Sequence, residues 1–169
     1  MSAVPCDERL LAAIEAALGG VTLDGEAVPV ERDRGLPLTE EDAPRLVVCR
    51  DQDSVDQTAW SGTDCWSLMV AVVGYVIEAP EPDGDDREAA RRQAEASTRR
   101  LVATLRAQVH QRLASGDPPG DLALCQDIIP LGAPPPDRLG LWSAHPGAAF
   151  TALFDLRFDT PTGDLFTFV

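Results

Sequence analysis

The sequence contains no lysine: all 14 basic side chains are arginine, set against 28 aspartates and glutamates, for a net charge of −14. A nucleic-acid-binding domain meets phosphate with a basic patch, so this balance argues against that role. It still permits a protein past which DNA slides without adhering. The lack of lysine has two readings, GC-rich codon usage or the use of arginine's bidentate fork at interfaces. Long apolar runs are also missing. The longest, around Leu68–Ile77, is too short to cross a bilayer, and no membrane partner is expected. No basic residue precedes Arg9, and Glu15 interrupts the apolar stretch Leu10–Leu18, which does not fit a secretory leader. A soluble chain that is not exported through a cleaved signal is the expectation.

The 4 cysteines, Cys6, Cys49, Cys65 and Cys125, form no CxxC pair, and no histidine stands at zinc-finger spacing. Reduced, mostly buried thiols and no metal are expected. Catalytic signatures are equally sparse: there is no GxSxG, P-loop, GxGxxG or HExxH. His110 falls within a helical pattern and His145 in a loop, neither at motif spacing from a nucleophile. Asp51, Asp53 and Asp56 begin like a calcium loop, but its sixth position needs Gly and its twelfth Glu. Asp56 and Gly62 stand there instead. The acidic run Glu81, Asp83, Asp85, Asp86 fails likewise, with Arg92 in the twelfth place. Both clusters read as solvated loop acids, and no enzyme and no cofactor are expected.

What is present is the patterning of one α+β domain spanning 1–169, a length that buries a real core. DERLLAAIEAALGG (7–20) predicts a helix with a Leu10–Leu11–Ile14–Ala17–Leu18 stripe, stopped by Gly19-Gly20. VTLDGEAVPV (21–30) predicts a hairpin about Asp24-Gly25, with Pro29 confining its second arm to an edge. RLVVCR (45–50) predicts a strand and 51–64 a polar, turn-rich connection, while WSLMVAVVGYVIE (66–78), apolar on both faces, is either a central strand covered on both sides or one edge of a protein interface. A long helix follows at about 86–114. It buries Ala94, Leu101, Val102, Leu105, Val109 and Leu113 within an arc of roughly 120°, with Arg106 and Arg112 near its negative end. DLALCQDIIPL (121–131) predicts a strand, and 132–147 a Pro/Gly-rich loop. In the last strand Phe150, Ala152, Phe154, Leu156 and Phe158 point one way, and Thr151, Asp155 and Arg157 the other. A Pro161–Gly163 turn follows, and Leu165–Val169 is expected to fold back as a short strand. The order predicts a mixed, mainly antiparallel sheet with two helices, one long, packed on one face.

Arg92, Arg99, Arg106 and His110 are expected on one face of the long helix, opposite its apolar stripe, since seven residues make nearly two turns. They form either a docking ridge or one half of the intrahelical pairs Glu88–Arg92 and Glu95–Arg99. Trp60 and Trp142, in the two long loops, either fold onto the core or meet a partner.

Several stretches together carry a family resemblance: IEAALGG leading to RLVVCRD, WSLMVAVVGYVIEA entering an acidic turn and a long amphipathic helix, and a closing AAFTALFDLRFDTPTGDLFTF. In order and texture, over nearly the full chain, the sequence resembles the tail terminator (tail-completion) family of long-tailed bacteriophages, the lambda minor tail protein U family. The 132–147 loop has no counterpart. The resemblance implies a mixed sheet with helices on one side and a virion structural protein assembled in the host cytoplasm. It also implies a homohexameric ring that caps the head-proximal end of the tail tube, stops its polymerisation and joins tail to head. The implied partners are further copies of the chain, the tail tube protein and the head–tail connector or stopper protein, with DNA passing through unbound. The candidate interface residues are Arg92, Arg99, Arg106, Trp60, Trp142, Phe166 and Phe168. The candidate acidic patch comprises Asp51, Asp53, Asp56, Glu81, Asp83 and Asp85. Two alternatives stay open: another neck or head–tail completion protein, and a standalone acidic α+β module that binds a basic partner.

Overall fold

The structure is a computed structural model, and it describes residues 4–33, 42–56, 62–77, 87–114, 118–132 and 147–169. The expected α+β architecture is observed. Helix α1 (Cys6–Leu18) leads into a two-stranded hairpin, β1 (Thr22–Leu23) and β2 (Glu26–Ala27). The hairpin turns on Asp24 and Gly25, both at positive φ (51° and 89°), the conformation that a two-residue connection of this twist requires. Then come β3 (Val30–Arg32), β4 (Arg45–Asp56), β5 (Thr63–Ile77), helix α2 (Arg87–Leu113), β6 (Asp127–Leu131) and β7 (Gly147–Pro161). The main sheet has the order β3-β4-β5-β7-β6. Only the β3·β4 pair is parallel.

The apolar stretch 66–77 falls in the middle strand, and β7 lies beside that strand over its whole length from Thr63↔Pro161 to Ile77↔Gly147. Alternation along these strands assigns the faces. Leu46 and Val48 of β4, Leu68, Val70 and Val72 of β5, and Phe150, Ala152, Phe154, Leu156 and Phe158 of β7 share one buried face. Both helices pack on it. From α1 come Leu10, Leu11, Ile14 and Leu18, and from α2 come Leu105, Val109 and Leu113. Removing a side chain such as Phe154 from water contributes about 1.5–3 kcal/mol. On the opposite face Val47 and Tyr75 are buried, while Cys49, Met69, Ala71, Val73, Thr151 and Leu153 are half-buried.

Four expectations about the elements are corrected. Residues 51–56 are not a loop: β4 runs on to Asp56, with a bulge between Arg50 and Gln52 and then Asp53↔Leu68, Val55↔Trp66 and Asp56↔Cys65. Ladder pairing with a strongly strand-forming partner outweighs the polar composition. The predicted strand over 121–131 is divided. Gly120–Leu124 forms a 3-10 helix that turns Leu122 into the core, and only Asp127–Leu131 joins the sheet. Residues 165–169 form no strand. They fold back nonetheless, with Cys6 N–H donating to the Leu165 carbonyl (2.8 Å) and Val169 N–H to the Asp159 carbonyl (3.1 Å). Finally, only Cys6 among the cysteines is buried, and Cys49, Cys65 and Cys125 are half-buried; none of the four is joined in a disulfide.

Candidate assembly surface

Three surfaces bear on the expected contacts: the outer side of α2, the end of the sheet where α1 begins, and the second face of the sheet. On α2, Arg92, Arg99 and Arg106 are all exposed. Arg92 reaches back to Glu88 (2.9 Å), the expected pair. The second expected pair is not formed, because Glu95 accepts from Arg91 (3.4 Å) in place of Arg99. Among the described residues no carboxylate pairs with Arg99 or Arg106. His110 does not belong to this ridge. Its ring packs at 5.3 Å on Phe154 of β7. Buried positions at 94, 98, 105, 109 and 113 repeat at nearly four residues, so the contact stripe drifts around a helix of 3.6 residues per turn and reaches His110 near its end. Burial, aided by the Arg106 charge, lowers the His110 pKa from its ordinary 6.5. Arg112, expected to complement its own helix end, instead donates to the Ala17 (3.2 Å) and Gly20 (2.6 Å) carbonyls and caps α1.

At the other end, Arg50 on β4 donates to Asp7 at the start of α1 and to Asp53 across the bulge, each at 2.7 Å. Asp51 is exposed beside them. Asp53 is thus partly neutralised, and these acids stand on a strand rather than in the expected loop. A cavity of about 230 Å³ opens next to Arg50, floored by Cys6, Trp66, Leu68 and Phe158. The chain terminus borders it. Phe168 meets Phe158 edge-on at 5.6 Å, and the Arg9 guanidinium lies 4.8 Å over its ring while Arg9 also holds Asp121 at 2.9 Å. The Asp164 carboxylate fixes the turn into this tail by accepting from the Phe166 N–H (2.8 Å). That hydrogen bond, with one from Thr167, lowers its pKa. Of the expected aromatic contacts at this end, Phe168 is therefore half-buried on the chain's own core, whereas Phe166 is 47 % exposed beside Val4 and Leu165.

On the second face, Asp155 is buried although its alternation predicts an outward carboxylate. Ser67 Oγ donates to one of its oxygens (2.5 Å) and Arg157 Nε to the other (3.1 Å). Single-residue types in the sequence give no signal for this cross-strand group, since Ser67 and Asp155 become neighbours only through the β5·β7 register. Trp60, Trp142, Glu81, Asp83 and Asp85 lie outside the described residues, as do His145 and the side chain of Asp56.

Three of the thiols are held in the protonated form. Burial pushes Cys125 up to about 12. It also raises Cys6, against the pull of Arg9, and Cys49, with help from Asp33. Among the described residues no group of His, Cys, Asp and Glu is arranged to hold a metal ion, and no helix is long and apolar enough to cross a membrane. A scan against protein-family models finds no match, and no curated protein sequence matches this chain.

Proposed function

We propose that this chain is a tail terminator of a long-tailed bacteriophage, a structural protein that closes into a hexameric ring on the head-proximal end of the tail tube. In that role it stops tube growth and presents a surface to the head connector. No bond is made or broken, and the work is geometrical. One observation carries the reading: both helices pack on one face of a five-stranded sheet, the layout that the resemblance implies. The opposite face carries partly exposed Met69, Ala71, Val73 and Leu153, which no described helix covers. Such a surface suits a protein whose working state is an assembly. The exposed Arg99 and Arg106 on α2, and the exposed Asp51 at the bulge of β4, supply unlike patches for a head-to-tail contact between copies. The remaining acidic charge suits a channel through which DNA passes without adsorbing.

The test is mass by light scattering across a concentration series, with and without purified tail tube. A ring of six, free or on tube ends, together with arrested tube elongation, is the expected result. A strict monomer that leaves tube growth unchanged overturns the reading and favours an acidic binding module. A ring that binds the connector but never the tube favours another neck protein.

A further inference from the structure

The sheet has outer edges of two kinds, and only one is defended against pairing. β3 is three residues long, follows Pro29 and carries Glu31 and Arg32. Beyond β3, the exposed side of β4 is broken by the bulge at Arg50/Gln52 and studded with Arg50, Asp51 and Asp53. β6 presents Pro130, which has no N–H, and Asp127. Charges, prolines, bulges and shortness are the devices by which edge strands avoid adding another strand. β7 is different. β6 covers it only from Leu153 to Arg157, and among the described residues no strand pairs with Gly147–Ala152 on that side. This stretch, GAAFTA, has no charge, no proline and no bulge.

The direction of its free groups follows from the ladder. The Arg157 carbonyl accepts from Gln126 N–H (2.7 Å) on the β6 side, and the Asp159 carbonyl accepts from Val169 N–H on that same side. Alternation along a strand then turns the N–H and C=O groups of Thr151, Ala149 and Gly147 outward, while those of Phe150 and Ala152 face β5. Among the described residues, the open edge is a short row of unshared backbone donors and acceptors.

We propose that Gly147–Ala152 of β7 is the docking edge for an extended segment of a second copy of this chain; the proposal rests on the ring reading above and names one of its contacts. The occupant is chosen by charge. A basic partner is drawn to the acidic surface of a chain of net charge −14. Two copies of this net charge repel one another over most of their surfaces, and an uncharged backbone ladder adds nothing to that repulsion. The side chains flanking the edge on the open face, Ala149 and Thr151, are small enough for an added strand to lie flat.

Proline substitution tests this directly. Thr151→Pro and Ala149→Pro each delete one outward N–H and leave the β5·β7 ladder intact, the one setting in which a strand tolerates proline. Each is expected to keep the wild-type circular dichroism spectrum and to raise the concentration needed for assembly about tenfold or more. Ala149→Glu, which keeps every backbone group but sets a negative charge at the seam, is expected to do the same. It serves where a proline variant does not fold. Hydrogen exchange supplies the second readout: the Ala149 and Thr151 amides exchange freely in dilute monomer and become protected on assembly. Folded variants that assemble like wild type overturn the edge and leave the ring standing. Protection of both amides in dilute monomer also overturns it, because the edge is then covered within the chain. A wild type that stays monomeric at every concentration overturns both readings.

Discussion

Phe150 on β7 stands directly opposite Gly74 on β5, and its ring occupies the space that a side chain at position 74 would need. A Cβ there would overlap the ring and touch Leu46 Cδ2 at 3.0 Å. Glycine weakens a strand interior, and an aromatic side chain folded across it restores the lost contact. Gly74→Ala is therefore expected to destabilise the fold by about 1–3 kcal/mol through overpacking, and Phe150→Ala by about 3–5 kcal/mol. Urea denaturation of the two single variants and of Gly74→Ala/Phe150→Ala checks the relationship. The double variant should be more stable than the two single effects add up to. Strict additivity would mean that the ring and the glycine do not share the space.

Arg112 joins the two helices through the carbonyls at the end of α1. Its guanidinium sits where a Cβ at Gly20 would come within 2.7 Å, so the glycine leaves room for the cap. Arg112→Ala removes donors from the Ala17 and Gly20 carbonyls and is expected to cost about 1–2 kcal/mol. Arg112→Lys should recover less than half, since a single ammonium cannot reach both acceptors as the planar fork does. Thermal unfolding of the three proteins decides this. An Arg112→Ala variant as stable as wild type would show that the cap is idle.

The sequence told most where local pattern and tertiary role agree. The apolar alternation in 150–158, the apolar stretch in 66–77 and the Asp24-Gly25 turn form the strands and the turn that their local patterns predict. It told least where a partner decides. Nothing in Asp51–Asp56 marks a strand until Cys65–Leu68 lies beside it. The outward position of Arg99 was visible from helical spacing, whereas the turning of His110 onto Phe154 required the drift of the contact stripe on a twisted sheet. The Asp7–Arg50–Asp53 and Ser67–Asp155–Arg157 groups join residues far apart in the chain, and no spacing rule reaches them. The open edge at Gly147–Ala152 was hidden for a similar reason: an uncharged strand becomes conspicuous only when its neighbour stops short.

Cys6, Cys49 and Cys125 should be slow to react. A cysteine attacks as the thiolate, and burial holds Cys125 near 12, with Cys6 and Cys49 also raised. With the native chain at neutral pH, iodoacetamide is expected to label Cys125 at least about a hundredfold more slowly than a free thiol of ordinary pKa. All 4 cysteines should label at ordinary rates in denaturant. Mass spectrometry of timed, quenched samples reads each site. Rapid native labelling of Cys125 would show that its surroundings open.

His110 gives stability a dependence on mild acid. In the folded chain its ring lies against Phe154 with Arg106 nearby, and its pKa falls below the ordinary 6.5 that it regains on unfolding. The folded state thus binds fewer protons than the unfolded one just below that value, and stability must fall as pH falls. The contribution is fully present above 6.5, is lost progressively as pH drops through the folded value, and is gone below it. One proton limits the slope to about 1.4 kcal/mol per pH unit. Urea midpoints measured from about pH 7.5 to about pH 5 should therefore decline for wild type and decline less for His110→Gln, which cannot charge. Asp164, whose pKa is lowered from 3.8, titrates below this range and does not confuse it. Parallel curves for the two proteins would remove His110 as the source, whereas convergence at low pH would place the charge-sensitive joint between α2 and β7.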